Sequence, residues 1–108
     1  MKRDKVMAMT DEDLRFKASE LMGITDGAIP DFPNDIASAW GLTSSVPGCR
    51  WSVYELDKGG WAAVVMGKIE PIGGRAAWDV IAESGPEDAA ERAITIAFIL
   101  AMTVDEEK

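Results

Sequence analysis

The chain has 108 residues, 47% hydrophobic and 28% charged, with a formal net charge of −8 at pH 7, no histidine and one cysteine. These figures fit one globular domain with a core of its own and exclude a disordered, collagen-like or low-complexity chain. They also exclude a Ser-His-Asp triad, a Cys-His pair, a histidine-ligated metal, a cysteine-based zinc site and an intrachain disulfide within one chain. Nineteen acidic residues against eleven basic ones disfavour direct binding to nucleic acid, whose partners are usually basic.

The elements follow in chain order. Residues 1–9 read as a flexible lead-in; no apolar run follows the basic start, so no signal peptide is expected. Thr10 is a helix cap, with Asp11, Glu12 and Asp13 at the positive helix end. The spacing predicts a helix over Asp11–Met22, with Leu14, Ala18, Leu21 and Met22 inward and Gly23 as its stop. Two prolines keep Gly27–Pro33 extended. A second helix is expected over Asn34–Thr43, with Ile36, Ala37 and the core residue Trp40 on its inner face. Gly41 weakens it by ~1 kcal/mol relative to alanine.

Arg50–Leu56 has strand composition, Asp57–Gly60 is a hairpin turn and Trp61–Met66 is the partner strand. Gly67–Gly74 reads as a longer connection, and Arg75–Ala82 as a third strand with Ala76, Trp78, Val80 and Ala82 on one face. Ser84 and Glu87 have the spacing of a capping box, with Pro86 in the first turn of a helix that runs to about Val104. From Ala93 to Met102 that helix is apolar nearly all round, so the sheet alone cannot cover it and another helix or another subunit should. Residues 105–108 are an acidic tail. The expected fold class is α+β, in the order α-α-β-β-β-α, with a three-stranded antiparallel meander packed between helices over residues 10–104.

The segment Pro33-Asn34-Asp35-Ile36-Ala37-Ser38-Ala39-Trp40 follows the Pro-rich stretch Ile29–Pro33 and precedes a Trp51-Ser52-Val53 strand and an Ala-rich last helix begun at Pro86. This ordered set resembles the phage ABA-sandwich domain family over roughly residues 11–103. Gly41 departs from the helix former expected there. The resemblance implies phage origin and helix/sheet/helix layering; it supplies no catalytic residues.

The candidate chemistry is sparse. Trp51 and Trp61 flank the hairpin and are placed to face each other, and with Trp78 they serve either as core or as an aromatic surface that stacks a base or anchors a partner. Arg50 and Arg75 open their strands, and Arg75 follows Gly73-Gly74, where backbone can approach a phosphate closely. No Gly-x-x-x-x-Gly-Lys-Ser/Thr motif is present. Asp31 and Asp35 flank a turn and read more simply as caps than as cation ligands. Cys49 reads as an inert small side chain.

The chain is therefore expected to be non-catalytic, with no cofactor and no metal. The expected ligand site combines Arg50, Tyr54, Trp61, Arg75 and Trp78 around a small phosphate-bearing molecule. In the phage setting that the resemblance implies, this is sequestration of a nucleotide-type immune signal in the host cytoplasm, in a homo-oligomer formed through residues 93–102. Two alternatives stand beside it: an acidic inhibitor that occludes a host defence or nucleic-acid-binding protein, and a virion assembly module. No membrane partner is expected, because the 93–102 run falls short of the ~20 apolar residues that span a bilayer.

Overall fold

Thr10 sets the geometry of the first long helix. Its hydroxyl accepts from the Asp13 N–H at 3.1 Å while the Asp13 carboxylate accepts from the Thr10 N–H at 3.4 Å. In the computed structural model, which describes residues 3–24, 27–46, 48–72 and 75–103 but not the side chains of residue 3 and residues 68–78, this capping box opens α2 (Asp11–Met22). Gly23, at φ 77°, closes it, and Leu14 and Ala18 are its buried residues among the four expected inward. The expected lead-in instead contains a short helix, α1 (Arg3–Met7), whose Val6 is fully buried.

The second predicted helix is α3 (Ile36–Thr43). Asp35 caps it, accepting from the Ala37 N–H at 3.2 Å and the Ser38 hydroxyl at 2.7 Å. Its buried residues are Ala39 and Leu42, not Ile36, Ala37 and Trp40, all three of which are exposed. The eight-residue helix carries apolar residues on two stripes roughly 140° apart at 100° per residue. Only the surface it meets selects between them. Ala39 is small enough to let α3 lie close on the last helix.

The sheet is a meander, β1-β2-β3, of β1 (Cys49–Glu55), β2 (Trp61–Ile72) and β3 (Arg75–Glu83), antiparallel throughout. The α+β class and the three-stranded meander are those the sequence predicts. The connection expected over residues 67–74 is mostly strand, since β2 continues to Ile72 and pairs there with Arg75. The β2–β3 hairpin therefore runs past the start of β1, which pairs with Gly67. Val65 pairs with Ala82 and Met66 with Val80, so Ile81 is an extra residue in β3. That bulge separates Val80 and Ala82, which the alternation puts on one face: Ala82 is buried and Val80 is 52% exposed.

The predicted capping box at Ser84 does not form. Ser84 is fully buried and ends the sheet: its N–H donates to Ala63 O at 2.9 Å, and its hydroxyl accepts from the Ala63 N–H at 2.9 Å and donates to Gly85 O at 2.8 Å. Glu87 then makes two backbone bonds with Trp61, of 2.7 and 2.8 Å. Its main chain is thereby committed to the sheet, and its carboxylate to Arg92 Nε at 2.8 Å. So α4 starts late, at Ala90, and ends at Met102, behind an Ala89 cap that makes no side-chain bond.

Helix α4 occupies the middle layer. The sheet lies on one side and α1, α2 and α3 pack on the other. Seven residues in a row, Ala93–Ile99, are buried. The part of the apolar circumference from Ala93 to Ile99 is thus covered within one chain, while Leu100 is half-buried and Met102 is exposed. Arg92 ties the layers together by bonding Glu87, the Asp11 carboxylate and Met9 O, the last at 3.0 Å. The sheet face away from α4 carries no helix among the described residues, so the meander is an outer layer rather than packed between helices as expected, because the long apolar helix needs covering on both sides.

Gly60 lies where the chain returns after β3. It has φ 93°, and a Cβ there would stand 2.9 Å from Glu87 O. Gly59 has φ 91° but open space around its missing side chain. We expect Gly59→Ala to cost about 1 kcal/mol and Gly60→Ala at least about 2 kcal/mol, as strain and the displaced Trp61–Glu87 pairing add. Urea denaturation of the two variants checks this, and equal costs would show that the close approach has no energetic weight.

Candidate functional site

The backbone register decides which predicted site residues can meet. Trp51, Val53 and Cys49 lie opposite Val65, Ala63 and Gly67, on the face that packs against the core. Arg50, Ser52 and Tyr54 therefore lie on the other face, opposite Met66, Val64 and Ala62. Trp61 pairs with Glu55 and packs against the core. Trp61 thus stands on the opposite face of the sheet from Arg50 and Tyr54. Trp51 and Trp61 are not cross-strand partners either.

Arg50 and Tyr54, four residues apart on one strand, are separated by about 13 Å of backbone. Tyr54 is 41% exposed. Arg75 pairs with Ile72 and Arg50 with Met66, six residues apart along β2 or about 20 Å, so the two arginines do not open their strands side by side. The side chains of Arg75 and Trp78 lie outside the described residues. Of the other three, Arg50 and Tyr54 lie on one face of the sheet and Trp61 on the other, so these three do not form one cluster.

A different site emerges around Trp61. It lines a groove of about 660 Å³ together with Ile36 and Trp40 of α3, Val53 of β1, residues 88 and 89, and Ala90, Glu91 and Ile94 of α4. The local chemistry explains the arrangement. Burial of Ala39 and Leu42 turns Ile36 and Trp40, one helical turn apart, outward and along the groove. They are 49% and 56% exposed. The Trp61–Glu87 pairing brings the 87–90 segment over the hairpin and delays α4, so Asp88 and Glu91 stand at the groove beside the two indoles.

The groove is apolar in its walls and acidic in its charge. Among the described residues Asp88 and Glu91 are its only ionisable lining side chains, and neither makes an ion pair. Arg92, next in sequence, is turned to Glu87 and Asp11. Trp40 was assigned to the core from sequence, and the signal that would have corrected it was the second apolar stripe, Ala39 and Leu42. Asp88, Glu91 and Ile36 carried no distinguishing sequence signal.

The remaining candidates are structural. Asp31 accepts the Asn34 side-chain amide at 3.1 Å, and Asp35 caps α3. Cys49 is half-buried against the core. The indole N–H of Trp51 is buried without a hydrogen-bond partner among the described residues. A second groove, of about 460 Å³ between α1 and α2, is lined by both charge signs, including Lys5, Asp13, Lys17 and Glu20, with Lys17 and Glu20 already paired at 3.5 Å. Among the described residues no group of three or more acidic or cysteine side chains is placed to hold a metal ion, and no helix is long and apolar enough to cross a membrane.

No protein-family model, curated protein or solved structure matches the chain. The resemblance to the phage ABA-sandwich family gains no support from these comparisons.

Because its indole faces the groove rather than the core, Trp40→Ala is expected to change stability by less than about 1 kcal/mol. Leu42→Ala, two residues on but fully buried, is expected to cost about 2–5 kcal/mol. Thermal melts of the two variants make the comparison, and a Trp40 variant that melts like the Leu42 variant would restore Trp40 to the core.

Proposed function

We propose that the protein is a non-catalytic binding protein that acts by docking onto another protein through the Trp40–Trp61 groove. The observation that carries this is the exposure of Trp40 and Ile36 on a helix whose other stripe is fully buried. The helix has its packing face already, so the exposed stripe is not needed to hold it. Large exposed apolar side chains around a concave surface are what partner recognition uses, and tryptophan dominates such contacts.

A nucleotide ligand has less behind it. Its phosphate contacts were assigned to Arg50 and Arg75, whose backbones lie far apart, and the groove at Trp61 is flanked by carboxylates that repel phosphate. Of the functions weighed from sequence, occlusion of a protein target fits best. The setting of that target, a host defence protein in the cytoplasm of a phage-infected cell, rests on the sequence resemblance alone.

Panning a random peptide library against the wild-type protein tests the reading. We expect convergent sequences rich in large apolar residues, and loss of their binding on Trp40→Ala in a variant that melts normally. Failure to select any sequence, or selection of the same sequences by the variant, would overturn it.

A further inference from the structure

We infer that the groove's partner is a cationic amphipathic segment, one that sets apolar anchors into the trough and Lys or Arg against Asp88, Glu91 and the two indoles. This rests on the docking function proposed above and adds the chemistry of the occupant. Three observations select it.

The first is charge complementarity. Among the described residues the groove's two ionisable side chains are both carboxylates, Asp88 just before α4 and Glu91 in its first turn, and no cation of the described chain neutralises either one. The nearest arginine in sequence, Arg92, is held elsewhere by three bonds. An approaching acidic or phosphorylated segment meets two like charges here, whereas a basic one gains two partners.

The second is the aromatic content. Trp40 and Trp61 line the same groove as the carboxylates. Indole faces attract ammonium and guanidinium groups as well as aliphatic side chains, so the same surface serves both halves of an amphipathic cation.

The third argues against a second copy of this chain as the occupant. Each copy carries a net charge of −8, so a symmetric contact through this groove brings two acidic surfaces together. Most of the apolar helix that invited self-association, Ala93–Ile99, is buried inside the chain.

The test uses the full chain and three synthetic peptides of matched length. Each has leucine at helical spacing, with the intervening polar positions filled by lysine, glutamine or glutamate. Binding is followed by calorimetry at low and physiological salt. The expected order is lysine over glutamine over glutamate, with at least about a fivefold step between the first two, and with lysine-peptide affinity falling as salt rises. The double variant Asp88→Asn, Glu91→Gln should abolish that step and most of the salt dependence while leaving glutamine-peptide binding unchanged. Trp40→Ala should weaken the lysine and glutamine peptides alike, by about tenfold.

Equal binding of the lysine and glutamine peptides, both lost on Trp40→Ala, would overturn the cationic partner while keeping the docking groove. A lysine preference that survives in the double variant would show diffuse attraction to an acidic protein and also overturn it. Absence of binding by all three peptides would overturn the inference and the docking function together.

Discussion

The structure depends on one constraint: α4 must be covered on every side from Ala93 to Ile99. Ile94, Ile96, Phe98 and Ile99 are all fully buried, and each large apolar side chain is worth ~1.5–3 kcal/mol when removed from water. A three-stranded sheet has one inner face and covers one side of a helix. The remaining helices therefore have to pack across the other side. The layer order, with α4 in the middle and the outer sheet face left without a helix, follows from where the apolar surface is.

The groove is a by-product of meeting that constraint. Covering α4 selects the Ala39–Leu42 stripe of α3, because small Ala39 allows close approach and Leu42 fills the contact. Ile36 and Trp40 are then left outside. At the other wall, the backbone pairing of Trp61 with Glu87 draws the chain along the sheet before α4 begins. The delay leaves Asp88 and Glu91 beside Trp61 rather than within an earlier helical turn. Burial and backbone hydrogen bonding thus place two indoles and two carboxylates together, although no short sequence motif joins them.

Arg92 links this architecture to the N-terminal segment. Its guanidinium reaches Glu87 on the return segment, Asp11 at the start of α2 and the Met9 carbonyl. A planar fork with several donors is suited to such a junction in a way that lysine is not. The same commitments keep it from neutralising the groove. The acidity of the groove is therefore a consequence of how the layers are tied, in a chain whose overall charge is already strongly negative.

Local chemistry determined much of this protein. Thr10 and Gly23 bound α2 because a capping side chain and a left-handed glycine act within one turn of the chain. The hairpin at residues 57–60 and the strands around it follow from turn residues and β-favouring side chains, and the circumference of the last helix announced its burial before any partner was known. What the tertiary structure alone decided is every choice between locally equal options. Helix α3 has two apolar stripes, Ser84 has the spacing of a cap and the chemistry of a strand end, and Val80 and Ala82 alternate regularly until the Ile81 bulge parts them. In each case the deciding term is a contact with residues distant in sequence: α4 for Ala39 and Leu42, Ala63 for Ser84, and the β2 register for Ile81. The candidate site was illegible for the same reason, since Trp40, Trp61 and Asp88 are brought together only by the packing that buries other residues.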